Sequence, residues 1–104
     1  MSAIMNFAIF PVDKGAHISE YVSEVIKYIK DSGLSYKFSP MGTIVEAETV
    51  PELLKVVEEA YKIMDPISER VYCVMNLDYN KSKSGLIEGK TKSVEDRIGG
   101  VDKV

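Results

Sequence analysis

Apolar and polar positions along the chain predict three kinds of segment. Ala3 to Phe10 is an apolar run broken only by Asn6 and closed by Pro11, the pattern of a strand covered on nearly both faces. Asp13 to His17 reads as a loop. Ile18, Val22, Val25, Ile26 and Ile29 then recur at helical spacing, with Ser19 placed to cap the start and Gly33 to end the helix. Ser35 to Ser39 alternates, Tyr36 and Phe38 on one side and Lys37 and Ser39 on the other. Pro40-Met41-Gly42 is a tight connection, Pro presetting φ and Gly tolerating a positive one. A strand from Thr43 to Glu48 follows. Thr49-Val50-Pro51-Glu52 is a capping box with Pro in the first turn, so a second helix starts there. Leu53, Leu54, Val57, Ala60, Tyr61 and Met64 supply its apolar stripe, and Pro66 stops it. From Arg70 to Tyr79, Val71, Cys73, Met75 and Leu77 alternate with Tyr72, Val74, Asn76 and Asp78.

The resulting order, β-α-β-β-α-β, predicts an α+β fold: a ferredoxin-like sandwich with a four-stranded antiparallel sheet. Right-handed crossovers place both helices on one sheet face. The other face then presents Asn6, Ala8 and Phe10 beside Tyr72, Val74, Asn76 and Asp78, too apolar a mixture to be left in water. A second copy of the chain is the simplest cover, which predicts a homo-oligomer. Past Tyr79 the sequence turns polar and basic, with Lys81, Lys83, Lys90 and Lys92. A short C-terminal helix is expected from Ser93, with Val94, Ile98 and Val101 on its apolar side, folded back or docked on a neighbour.

Composition narrows the function classes. At 104 residues, residues 1–104 read as one domain with a single core. A net charge of −3 gives no support to a nucleic-acid or anionic-membrane surface. No stretch approaches the roughly 20 apolar residues of a membrane span. The first residues lack a basic and apolar leader pattern, so a cytoplasmic location is expected. One Cys and one His exclude an intrachain Cys/His zinc cluster, and Cys73, in an apolar run, is expected to be buried and inert. No nucleophile-base motif and no glycine-rich phosphate loop occur; His17, before a helix, suits a loop or cap role. The chain is therefore not expected to be an enzyme, and no metal or cofactor is expected.

The stretch Ser39 to Glu46 holds the candidate chemistry. Thr43 and Glu46 put a hydroxyl and a carboxylate into an otherwise apolar strand, and a carboxylate there must meet water, a partner or a ligand. Depending on register, they join Asn6, Asn76 and Asp78 on the open face. Such a mixture suits a small cationic heteroaromatic ligand, or a polar patch in a subunit interface.

Several segments together resemble the small thiamine-binding protein family: the strand ending Phe10-Pro11, the helix with Ile18-Ser19-Glu20-Tyr21-Val22, Ser32-Gly33-Leu34-Ser35-Tyr36, and Pro40-Met41-Gly42-Thr43 with Glu46 downstream. The resemblance spans roughly residues 3–101 and departs from the family at Ala47, where members commonly have Gly. It implies ferredoxin-like subunits paired through their sheets into dimers and assembled as tetramers, binding thiamine or a related pyrimidine without turnover. Thr43 and Glu46 become the leading ligand contacts. Asn6 and Asp78 are further contacts, and Ser39 and Met41 belong to the same element. Met41, Phe10 or Tyr72 pack on a ring, and Lys81 or Lys83 favour a phosphorylated form. The alternative is a structural or regulatory oligomerisation module with no thiamine binding.

Overall fold

The computed structural model describes residues 1–16 and 18–104, so the expected role of His17 lies outside the described residues. The elements are β1 (Ser2–Pro11), α1 (Ser19–Ser32), β2 (Ser35–Ser39), β3 (Gly42–Ala47), α2 (Val50–Met64), β4 (Val71–Asn80) and α3 (Leu86–Ile98). The four strands form one antiparallel sheet in the order β2-β3-β1-β4. This is the ferredoxin-like arrangement expected from the sequence, with a third helix appended.

Strand alternation decides what each sheet face carries. Ala3, Met5, Phe7 and Ile9 of β1 and Thr43, Val45 and Ala47 of β3 point to the side where α1 and α2 pack. With Val25 and Ile29 of α1 and Leu53, Val56, Ala60 and Met64 of α2 they form the core. Burial of this apolar surface is the main stabilising term, at about 25 cal/mol per Å².

Local signals set the helix ends. Thr49 accepts the Glu52 N–H and donates its hydroxyl to the Glu52 carboxylate, the reciprocal box the sequence predicts. Gly33 terminates α1 in the left-handed region at φ 81°, where a side chain would be strained. Ser19 does not cap α1: Ile18 takes the N-cap position without a side-chain bond, and Ser19 begins the helix itself.

Three expectations about burial and extent are corrected. The stripe of α2 runs through Val56, whereas Leu54 and Tyr61 are about half exposed. Cys73 is exposed, because β4 is an edge strand that α2 barely reaches. The last helix begins at Leu86, seven residues before Ser93, and folds back on its own sheet, against β1 and β3.

Candidate functional site

The β2–β3 hairpin is the first of two places where polar side chains gather. Ser39 closes its turn by donating its hydroxyl to the Gly42 carbonyl at 2.7 Å. Gly42 is needed for space rather than for a positive φ. An added Cβ would stand 2.7 Å from Asn6 Oδ1 and 3.3 Å from the Phe7 carbonyl oxygen. Met41 projects from the turn, 89% exposed. Thr43, the first inward residue after it, is 4% exposed.

A cleft of about 290 Å³ opens between this hairpin, the end of β1 and the first turns of α1. Ser39, Met41 and Thr43 line it together with Phe7, Phe10 and Phe38. The Phe7 and Phe38 rings share the inward side with Thr43, while the Phe10 ring turns to the other face against Tyr72. Together with the threonine these rings make a recess for a flat, mostly apolar molecule with a hydrogen-bonding edge, at the lower end of the size range of ligand sites. The phenylalanine rings also offer faces to a cationic ring.

The second place is the opposite face of the sheet. Register sets Glu46 and Asp78 on either side of Ile4, and Asn6 beside Asn76. The Glu46 carboxylate is taken up inside the chain. Oε2 accepts the Leu86 N–H at 2.7 Å and the Ser2 hydroxyl at 2.8 Å, and Oε1 accepts the Ile87 N–H at 3.1 Å. Partial burial pushes this carboxyl up, but the backbone donors and Ser2 outweigh burial and leave it below the ordinary value of 4.5. A carboxylate against the first N–H groups of α3 is the favourable polarity for a helix N-terminus. Asp78 pairs with Lys90 of α3 at 2.9 Å.

The six predicted site residues thus divide. Ser39, Met41 and Thr43 come together in the hairpin cleft; Asn6, Glu46 and Asp78 lie on the other face. Thr43 and Glu46 do not converge, since positions three apart in a strand point to opposite sides. Asn6 borders the hairpin turn from the other face, its Oδ1 2.7 Å from where a Cβ on Gly42 would stand. Lys81 and Lys83 follow the Asn80 end of β4, which pairs with Ser2, at the other end of β1 from the cleft-lining Phe10. The cleft walls Phe7, Phe38 and Ile26 were not foreseen as site residues. The signal was available for Phe38, an aromatic on a short strand with polar flanks.

Beyond the part of the open face that α3 covers, Ala8, Phe10, Tyr72 and Val74 continue the surface. The Phe10 and Tyr72 rings stand 5.7 Å apart with their planes tilted by 44°. No described helix is long and apolar enough to cross a membrane. No group of three or more His, Cys, Asp or Glu among the described residues could hold a metal ion. Cys73 lies beside Ile9, Val57 and Tyr61, where partial burial pushes its thiol up, away from the reactive thiolate.

Fold and cleft together define a ferredoxin-like domain with a recess of small-molecule size. Comparison with known proteins adds the lineage. A family described as thiamine-binding protein matches residues 5–95, and the chain belongs to that family. A UPF0045 protein of Mycobacterium tuberculosis is 30% identical over 95 residues, covering 91% of this chain and 93% of its own. One from Methanocaldococcus jannaschii is 32% identical over 91 residues, 88% of this chain and 90% of the relative. The crystal structure of that archaeal protein superposes with a TM-score of 0.80 at 30% identity, over 91% of this chain and 97% of the other. A Thermotoga maritima protein, provisionally described as one of thiamine biosynthesis or salvage, shares the fold at a TM-score of 0.76 and 20% identity, covering 89% and 99% of the two chains.

Proposed function

We propose that this protein binds thiamine or a related pyrimidine, without turnover, in the hairpin cleft. The observation that carries the reading is the convergence of Ser39, Met41 and the buried Thr43 with Phe7 and Phe38 around one recess, in a chain of the thiamine-binding family. In this reading Thr43 bonds the edge of the aminopyrimidine, and the phenylalanines hold the rings. Buffering, delivery or sensing of the ligand is the role that fits binding without chemistry. Calorimetry with thiamine and the free aminopyrimidine tests it, with mass analysis of the recovered ligand. Saturable binding and unchanged ligand are expected. A folded protein with no heat of binding at millimolar ligand would sink the reading.

A second reading concerns assembly, and a specific observation favours it. Ala8, Phe10, Tyr72 and Val74 form an apolar patch next to Asn6 and Asn76 on the face opposite α1 and α2. We infer that a second copy of the chain covers this patch, giving a dimer through sheet faces and, by further pairing, a tetramer. Asn6, Glu46 and Asp78 then serve the interface side of the subunit rather than the cleft. The protein acts in the cytoplasm, without nucleic acid or membrane as partner.

A further inference from the structure

The hairpin cleft does not end at the phenylalanines. Val22, Ile26 and Phe38 also line a second hollow, of about 540 Å³, that runs along α1 beside β2. Phe38, 54% exposed, lines both. Beyond it the walls change character: Ser23, Lys27 and Lys30 come from α1, with Asp31 at the far end. From Val22 to Lys30 is eight residues of helix, about 12 Å at 1.5 Å per residue. The two hollows meet at Val22, Ile26 and Phe38, so that together they lead from the aromatic recess to a pair of lysines.

The charges at that end favour an anion. Neither Lys27 nor Lys30 belongs to an ion pair among the described residues, in contrast to Lys62, Lys90, Lys92 and Lys103. Two lysines against Asp31 leave the lining of this hollow net positive on a chain whose overall charge is −3. Lys81 and Lys83 follow Asn80, whose partner Ser2 lies five positions along β1 from Phe7, the partner of Thr43.

We propose that the cleft takes its ligand as a phosphate ester: ring system between Thr43 and the phenylalanines, phosphate or diphosphate on Lys27 and Lys30. The inference rests on the ring-binding reading above and extends it to the ligand's charged end. A cationic ring lying across Phe38 would bridge the two parts through its π face, and lysines bind phosphate as mobile point charges without a fixed fork.

The test compares thiamine, thiamine diphosphate and inorganic diphosphate on the full chain and on the Lys27→Gln/Lys30→Gln double variant. Both lysines are exposed, so the substitutions leave the core untouched. Thiamine diphosphate should bind the unsubstituted protein about tenfold tighter than thiamine, the scale of one added charge-assisted contact. The double variant should lose that preference while keeping its affinity for thiamine, Lys27→Arg/Lys30→Arg should restore it, and added salt should shrink it. Equal affinities for the two compounds, or a preference that survives in the glutamine variant, overturn the proposal and leave thiamine binding intact. Inorganic diphosphate separates the remaining case. If neither thiamine compound binds but diphosphate shifts the amides of residues 22–31 only when the lysines are present, the ring reading fails and the anion end stands. No response to any of the three overturns both.

Discussion

Glu46 and Leu86 are joined across forty residues of sequence by a 2.7 Å hydrogen bond, the backbone N–H of one donating to the carboxylate of the other. This bond, with those from Ile87 and Ser2, fixes where α3 starts. Gly85 occupies the N-cap position at φ 64° and supplies no side-chain cap, so the cap comes from β3. Replacing Glu46 by Gln keeps the shape but removes the charge. Hydrogen bonds to charged groups contribute about 1.5–3 kcal/mol, and a loss of about 2 kcal/mol is expected, concentrated in α3. Hydrogen exchange should show the amides of Leu86 and Ile87 losing protection while those of β1 keep theirs. Uniform loss across the chain would contradict a local cap.

The same carboxylate makes α3 acid-sensitive. Its pKa in the folded protein lies below 4.5, so the charged form is favoured by folding. The corresponding stability is fully present above the unfolded value and is lost as pH falls through the folded one. Protection at Leu86 should therefore decline on acidification below about pH 4.5, the ordinary Glu value, and the Gln variant should lack that step. An identical acid profile in the two proteins would assign the effect to other groups.

Gly42 and Asn6 define the tightest point of the hairpin. Alanine at 42 puts a methyl group 2.7 Å from Asn6 Oδ1, which a side chain can yield, and 3.3 Å from the Phe7 carbonyl, which the strand cannot readily yield. Overpacking of this kind costs about 1–3 kcal/mol. Gly42→Ala should lower Tm by several degrees, and adding Asn6→Ala should recover part of the loss. Full additivity of the two substitutions would show that the side chains do not meet.

The fold was legible in the sequence because two periods carried it. Alternation in Ser35–Ser39 and in the last strand, and the helical spacing of Ile18 to Ile29, belong to elements whose faces are set by neighbours close in sequence. The failures share a cause: they depend on contacts distant in sequence. α3 starts seven residues before the Ser93 start its sequence suggests, because its cap is Glu46 and because Gly89 and the lysines weaken the helical pattern. Cys73 has the inward parity of a core residue, but strand order puts it at an edge where α2 gives little cover. Of the candidate site, the hairpin element was legible as a unit. The division of Thr43 from Glu46 was also implicit in strand parity, whereas the cleft walls from α1 required the packing of helix on sheet.

Assembly through the open face has a direct check. Val74 sits opposite Ala8, next to the Phe10–Tyr72 pair, and is about half exposed in the single chain. Val74→Asp places a charge in the centre of the inferred interface, where burial without a partner costs several kcal/mol. Sedimentation should show the unsubstituted chain as an oligomer and the variant as a folded monomer. A monomeric unsubstituted chain, or a variant that sediments unchanged, would remove this face as the interface.

Thr43 and Glu46 finally separate the two faces as places for the ligand. If the ligand sits in the hairpin cleft, Thr43→Val deletes its one buried hydroxyl partner while preserving the side chain's shape. A neutral hydrogen bond contributes about 0.5–1.5 kcal/mol, so affinity for thiamine should fall about threefold to tenfold. Glu46→Gln, on the far side of the sheet and committed to α3, should leave that affinity within error while loosening the helix. The opposite outcome is equally readable: a Thr43→Val protein that binds normally and a Glu46→Gln protein that does not would move the site to the open face. In that case the ligand competes with α3 for the carboxylate, and binding should deprotect the Leu86 and Ile87 amides in exchange experiments. Calorimetry on the two variants, read beside that exchange pattern, decides between the faces.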